Sequence, residues 1–255
     1  MQQTMTALLS CAVILAAVDK AFPQEMESDR PDNTESAVTV TPRSIQFEGG
    51  YTFTWDPDIT EHSLGELLIR WGLLDWMELR FGLNSFLWTV QNNETFYGKD
   101  DMSFGLKFQI FRSPEEGFPV PDIAFIVTGI FPTGSGRYRE PLVQVLGKLC
   151  AAWQLGEFFD FGINAGYAYA SVDRERYHQA SFSSVLGWLY SERVRFFIEY
   201  FGLYPESAGE QNAHYADLGF TYRVLDNFQL DIRGGIRLDS REYFLGAGFV
   251  GRWMY

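Results

Sequence analysis

Apolar and polar residues alternate one by one along Asn227–Asp239 (NFQLDIRGGIRLD). Phe228, Leu230, Ile232, Gly234, Ile236 and Leu238 form one face; Gln229, Asp231, Arg233, Gly235, Arg237 and Asp239 form the other. A period of two is the mark of a β-strand. The charged face of so long a strand meets water outside a soluble sheet, or it lines the lumen of a membrane barrel whose apolar face meets lipid. About ten tilted residues cross a bilayer core, and this strand has that length.

The same alternation recurs to the end of the chain. Strands are predicted over Ser44–Trp55, Leu64–Trp71, Trp76–Trp88, Met102–Arg112, Ile123–Phe131 and Leu142–Trp153. They continue over Phe158–Ala170, Gln179–Tyr190, Arg193–Leu203, His214–Val224, Phe228–Leu238 and Tyr243–Tyr255. Short connections (Gly72–Asp75, Leu155–Glu157, Ser191–Glu192, Leu225–Asp226) alternate with longer ones (Asp56–Ser63, Thr89–Asp101, Pro132–Pro141, Ser171–His178, Tyr204–Ala213), with Ser113–Pro121 the exception. Short turns on one side and long loops on the other belong to an outer-membrane barrel. The expectation is an all-β, antiparallel up-and-down transmembrane barrel of about twelve strands, both termini on the periplasmic side.

Aromatic residues agree with this. Trp55, Trp71, Trp76, Trp88, Trp153, Trp188 and Trp253 lie near strand ends, as do Tyr169, Tyr190, Tyr204, Tyr222, Tyr243 and Tyr255. Amphipathic rings prefer the membrane–water boundary and form girdles there. The last strand carries Tyr243, Leu245, Ala247, Phe249, Gly251, Trp253 and Tyr255 on one face and stops on an aromatic. This looks like the signal read by the barrel-assembly machinery.

Composition adds bounds. Mean hydropathy is only −0.12, as alternation produces, and is compatible with a barrel because each strand signals weakly. Net charge is −13, which argues against nucleic acid as a partner. Residues 1–21 read as a signal peptide around the apolar run Met5–Val18, without a preceding Lys or Arg. Cys11 follows Leu8-Leu9-Ser10, a faint lipoprotein box, but the apolar run continues past it. After cleavage only Cys150 remains, read as a small side chain on a strand. Residues 22–43 are acidic and aperiodic and read as a periplasmic lead-in, partly ordered at best. The barrel takes 44–255.

Several stretches together resemble one family. They are Asp29–Ser36 (DRPDNTES), Ile45–Tyr51, Leu68–Leu73 with Glu78–Arg80, Phe131–Gly134, Phe197–Gly202 (FIEYFG), Asn227–Asp231 and Phe244–Phe249. The chain resembles the outer-membrane proteins grouped as the "MetA-pathway of phenol degradation" family. The resemblance implies a barrel and a role in passing small solutes, aromatic compounds among them.

With apolar faces toward lipid, the lumen receives Glu48, Glu66, Arg70, Glu78, Arg80, Lys107, Asp122, Lys148, Asp160, Arg195, Glu199, Asp217, Arg223, Asp231, Arg233, Arg237 and Arg252. Interleaved signs suit either a narrow polar pore whose charges select solutes or a lumen closed by paired charges. Twelve strands fall between the eight that leave room only for side chains and the sixteen that hold an aqueous channel. A lipid-modifying enzyme is the other class. His62, His178 and His214 read as loop-rim residues, and Ser63, Ser181 and Ser183 show no triad spacing with them. No cofactor is implied, and no His/Cys cluster supports a metal site. The loop acids Asp56, Asp58, Glu61, Asp173 and Glu175 read as solvated charge rather than a calcium site shared with lipopolysaccharide. Gly134-Ser135-Gly136 is a flexible loop, since no helix follows to bind phosphate. The reading is a transporter or narrow channel in outer-membrane lipid and lipopolysaccharide, with a non-conducting structural barrel as the alternative.

Overall fold

A computed structural model describes residues 26–114, 120–172, 175–206 and 211–255. The signal peptide expected over 1–21 and Cys11 lie outside them. The described chain forms one antiparallel sheet of fourteen strand segments. These are β1 (Ser44–Asp56), β2 (Ile59–Leu74), β3 (Met77–Gly82), β4 (Phe86–Gln91), β5 (Glu94–Lys99), β6 (Met102–Phe111) and β7 (Asp122–Phe131). Then come β8 (Gln144–Leu155), β9 (Phe159–Val172), β10 (Glu175–Ser191), β11 (Val194–Pro205), β12 (Ala213–Leu225), β13 (Phe228–Arg237) and β14 (Tyr243–Met254).

The sheet closes because β1 pairs with both β14 and β2. β3 and β4 pair with the two ends of β2, and β5 and β6 pair with β4 and β3 in turn. Each of these couples is one wall strand with an interruption, so the barrel has twelve strands. The interruptions sit side by side. Gly65 and Glu66 take positive φ in β2. Next to them Leu83 donates to the Leu67 carbonyl at 2.8 Å, and the Ser85 amide donates to the Asp100 carboxylate. Beyond the kink, the outer edge of β5 has no strand partner among the described residues and is covered by the loop 132–143. The Ser135 amide donates to the Lys99 carbonyl at 2.9 Å, and the Lys99 amide donates to Ser135 Oγ at 2.9 Å. Covering an edge this way removes a template for unwanted pairing.

Three connections expected as long loops are largely strand. Asp56–Ser63 and Thr89–Asp101 continue the ladder up to tight hairpins, and the described part of Ser171–His178 continues it as strand. Asn92 and Asn93, both at positive φ, make the sharp reversal at the β4–β5 turn, where asparagine tolerates the left-handed region.

The two wall faces have opposite chemistry. Leu64, Leu149, Ile198, Leu218, Ile232 and Leu245 are exposed on the outside. A continuous apolar exterior of this size is not stable in water and belongs in hydrocarbon. Inside, Arg70, Glu78 and Lys107 are fully buried.

Residues 26–43 correct the expected periplasmic lead-in. They lie inside the barrel, with Met26, Asp29, Thr34, Ala37, Thr39 and Val40 buried. The segment forms a plug that hydrogen-bonds the inner wall and turns into β1 at Ser44. Ala37 packs on an apolar pad of Ala124, Ile126 and Cys150 on β7 and β8. An acidic, aperiodic stretch orders here because the lumen supplies partners for its backbone and its charges, where water would leave it unfolded.

Candidate functional site

The interior is built from strand positions two apart, so each inward charge arrives by alternation alone. Arg70 on β2 lies against Glu78 of β3 (2.8 Å) and Glu48 of β1 (2.9 Å). Arg80 reaches Glu78 at 2.9 Å. The plug completes this cluster. Asp29 accepts from Arg80 (2.6 Å) and lies 3.3 Å from Arg70 and 3.4 Å from Lys107. Three buried cations around one plug carboxylate anchor its first turn.

Further contacts carry the plug across the lumen. Arg30 pairs with Glu66 (3.0 Å) and Asp231 (3.3 Å), and its guanidinium lies flat over β1 and β14. An added Cβ at Gly50 or Gly248 would come within 2.4 Å of it, so a side chain at either position would displace the guanidinium. Arg233 donates to the Pro31 carbonyl at 3.0 Å. Asp32 faces Arg195 at 3.5 Å, and Arg195 also grips Asp160 at 2.6 Å. The amides of Asn33 and Thr34 donate to Glu199 at 2.7 and 2.6 Å. Glu35 bridges Arg80 (2.8 Å) and Lys148 (2.7 Å). The chain then returns down the wall, where Val40 donates to Glu78 at 2.8 Å.

Glu48, Arg70, Glu78, Arg80, Lys107, Lys148, Asp160, Glu199 and Asp231, predicted for the lumen, thus meet each other or the plug. Arg252 is buried low on β14, with Nη1 3.5 Å from Thr41. Arg223 lines a cavity of about 250 Å³ between the plug and the β7–β13 wall, together with Asp122, Asp160, Arg195 and Thr221. Asp217 and Arg233 lie higher, under an aromatic cluster. Arg237 sits at the outer mouth, paired with Asp239 at 2.9 Å. The plug residues Asp29, Arg30, Asp32 and Glu35 were missed as site residues. Their signal was a dense run of charge, which by itself also describes a solvated tail.

The histidines are on strands rather than loops, which corrects that expectation. His62, His178 and His214 sit on the outward face near the outer ends of β2, β10 and β12. Tyr51 and Tyr200 hydroxyls contact His62 Nδ1 and His214 Nδ1 at 2.6 and 2.7 Å. His178 packs on Tyr167 and Tyr169. Ser63, Ser181 and Ser183 follow inward positions, so wall and alternation keep these serines from these histidines. Glu61 also points inward and accepts from Thr89 at 3.0 Å, apart from Asp56 and Asp58. Among the described residues no group of His, Cys, Asp and Glu is arranged to hold a metal ion.

The family model described as "Putative MetA-pathway of phenol degradation" matches residues 28–253. The match begins inside the plug, ahead of the first strand. No curated protein matches the sequence. Among solved structures, the chain is similar to an outer membrane channel from Pseudomonas putida F1, with a TM-score of 0.67 at 14% identity, covering 88% of this chain and 100% of that one. It is also similar to the NanC porin (TM-score 0.56, 11% identity, 81% and 98% covered). A third likeness is to the KdgM porin (TM-score 0.54, 9% identity, 80% and 98% covered). At these identities the likeness is one of fold, that of an outer-membrane barrel.

Proposed function

Because the chain belongs to the family described as the MetA-pathway of phenol degradation, we propose that it is an outer-membrane channel for small solutes, aromatic compounds among them. One observation carries the reading. The plug does not fill the lumen: a cavity of about 250 Å³, lined by charged and apolar side chains alike, remains between it and the β7–β13 wall. Charges of both signs line it, as suits a pore that admits small polar solutes and screens them by charge. The likeness to a channel and two porins supports the same reading. The outward face of β14 would be read by the barrel-assembly machinery during insertion, and the outer girdle would meet lipopolysaccharide. Catalysis forms no part of the reading.

A second reading rests on the density of ion pairs around Asp29, Arg30 and Glu35. A lumen closed by such pairs would make a structural barrel that conducts nothing. Single-channel recording on refolded protein in planar bilayers separates the two. Discrete conductance steps are expected. Their absence from protein that passes the heat-modifiability test for folding would refute the channel.

A further inference from the structure

Glu199 of β11 is the wall residue that grips the plug at its turn. The Asn33 and Thr34 amides donate to its two oxygens at 2.7 and 2.6 Å. The Thr34 hydroxyl donates to it as well, and lies 2.8 Å from Ser183 Oγ on β10. Directly across the β11–β12 pair from Glu199 is Asp217, and the two carboxyl groups share a hydrogen bond. Among the described residues no other donor reaches either Asp217 oxygen. Both residues are only 5% exposed. The Phe244 ring covers them toward the outer mouth. It lies on bare Gly235 of β13, where a Cβ would come 2.4 Å from the ring and 2.6 Å from the Asp217 Cβ.

Two carboxyl groups make a hydrogen bond only when one of them carries a proton. A pair this close and this dry holds one proton between them rather than ionising together. The surrounding charges favour the same state. The plug presents Asp32, 3.5 Å from Arg195 of β11, and Arg195 is shared with Asp160 of β9 at 2.6 Å. On β13, Arg233 donates to the Pro31 carbonyl at 3.0 Å, and Asp231 is held by Arg30 at 3.3 Å. β12 adds the Tyr215 phenol, stacked on Phe201 at 4.6 Å. β10 brings Val185 and Ser183, which carry no charge. Without the shared proton, four carboxylates (Asp32, Asp160, Glu199 and Asp217) would face two arginines (Arg195 and Arg233). Of these groups only Asp32 is on the plug; the others are fixed in the closed ladder.

We propose that Glu199 and Asp217 form a proton-dependent latch, which holds the plug seated while they share a proton and releases the turn 31–34 when that proton is lost. The proposal goes beyond the channel reading, and plug movement can be detected whether or not the lumen conducts. With the proton in place, Asp217 has its partner and Glu199 keeps its bonds to the plug. Once it is lost, two charges stand side by side where water does not reach, and their repulsion is strong. Lifting the turn away takes Asp32 out of the cluster and admits water to both carboxylates. Seating the plug therefore binds a proton. Acid favours the seated state and rising pH the released one, and one proton changes their ratio by up to about tenfold per pH unit.

The test is hydrogen exchange, read by mass spectrometry, on the full chain refolded in detergent. It runs from about pH 5 to about pH 9, which brackets the loss of a proton shared by two carboxylates, with rates corrected for the intrinsic effect of pH. In the parent, the Asn33 and Thr34 amides should lose protection by at least about tenfold as pH rises. Asp217→Asn keeps the volume and gives Glu199 a permanent N–H donor, so these amides should stay protected across the range. Should Asp217→Asn fail the heat-modifiability test for folding, Asp217→Ser replaces it. It too leaves no second acid beside Glu199, and the same loss of pH dependence is expected. Parent protection that ignores pH, or a folded Asp217 variant that loosens with pH as the parent does, would overturn the latch. A protein that conducts while its plug ignores pH refutes the latch alone, and a non-conducting one whose plug loosens as pH rises refutes the channel alone.

Discussion

Arg70 shows what an inward charge is worth in this wall. It is fully buried and holds Glu78, Glu48 and Asp29. Arg70→Met keeps the volume, removes the cation paired with Glu48 and takes one of the cations around Glu78 and Asp29. Removing one partner of a buried ion pair costs roughly 3–5 kcal/mol. Arg237→Met removes an exposed pair with Asp239, worth about 0–1 kcal/mol. The temperature at which each folded variant loses its compact gel mobility should fall markedly for Arg70→Met and little for Arg237→Met. Equal losses would show that the cluster is not structural. The inward position of Arg70 was legible from alternation alone, since Ile69 and Trp71 take the other face. Its partner Asp29 was not. Alternation assigns a face, and nothing in a two-residue period says which non-periodic segment will lie against it.

Elements were legible where their period was clean and lost where it broke. Trp76–Trp88 reads as one strand and is two, parted at Leu83–Ser85 by the kink beside Gly65 and Glu66. Thr89–Asp101 reads as a loop because Asn92 and Asn93 punctuate it, yet it holds the β4–β5 hairpin. Polar asparagines mark a turn without marking how short it is. The edge that this hairpin creates is sealed by close approach of the loop at Gly98, where an added Cβ would come 2.5 Å from the Tyr138 ring and 2.7 Å from the Ser135 carbonyl. Gly98→Val should therefore push the loop off β5. Limited trypsin digestion of folded protein reads this out through Arg137 and Arg139. Cleavage there should be faster in Gly98→Val than in the parent, and an unchanged rate would mean that the loop seal does not depend on Gly98.

At the scale of the whole molecule, the plug and the barrel are complementary in charge. Between Glu27 and Glu35 the segment brings four acids, Glu27, Asp29, Asp32 and Glu35, into the lumen with one arginine, Arg30. The wall answers with Arg70, Arg80, Lys107, Lys148 and Arg195. Deleting residues 27–40 should empty part of the lumen and leave those cations facing water. Two consequences follow for single-channel recordings. Conductance should rise, because the space now confined to the β7–β13 side widens. The reversal potential in a salt gradient should also shift toward anion preference, because the deletion takes four acids and one arginine out of the lumen and a less negative lumen concentrates anions better. The closed ladder from β1 to β14 does not depend on the plug, so heat-modifiability should survive the deletion. Asp32→Asn with Glu35→Gln gives a milder form of the same experiment, removing charge while keeping volume. It should shift selectivity in the same direction with little change in conductance. If the deletion variant folds but conducts like the parent with the same ion preference, the path does not run past the plug, and the ion pairs around Asp29 and Arg30 serve stability alone.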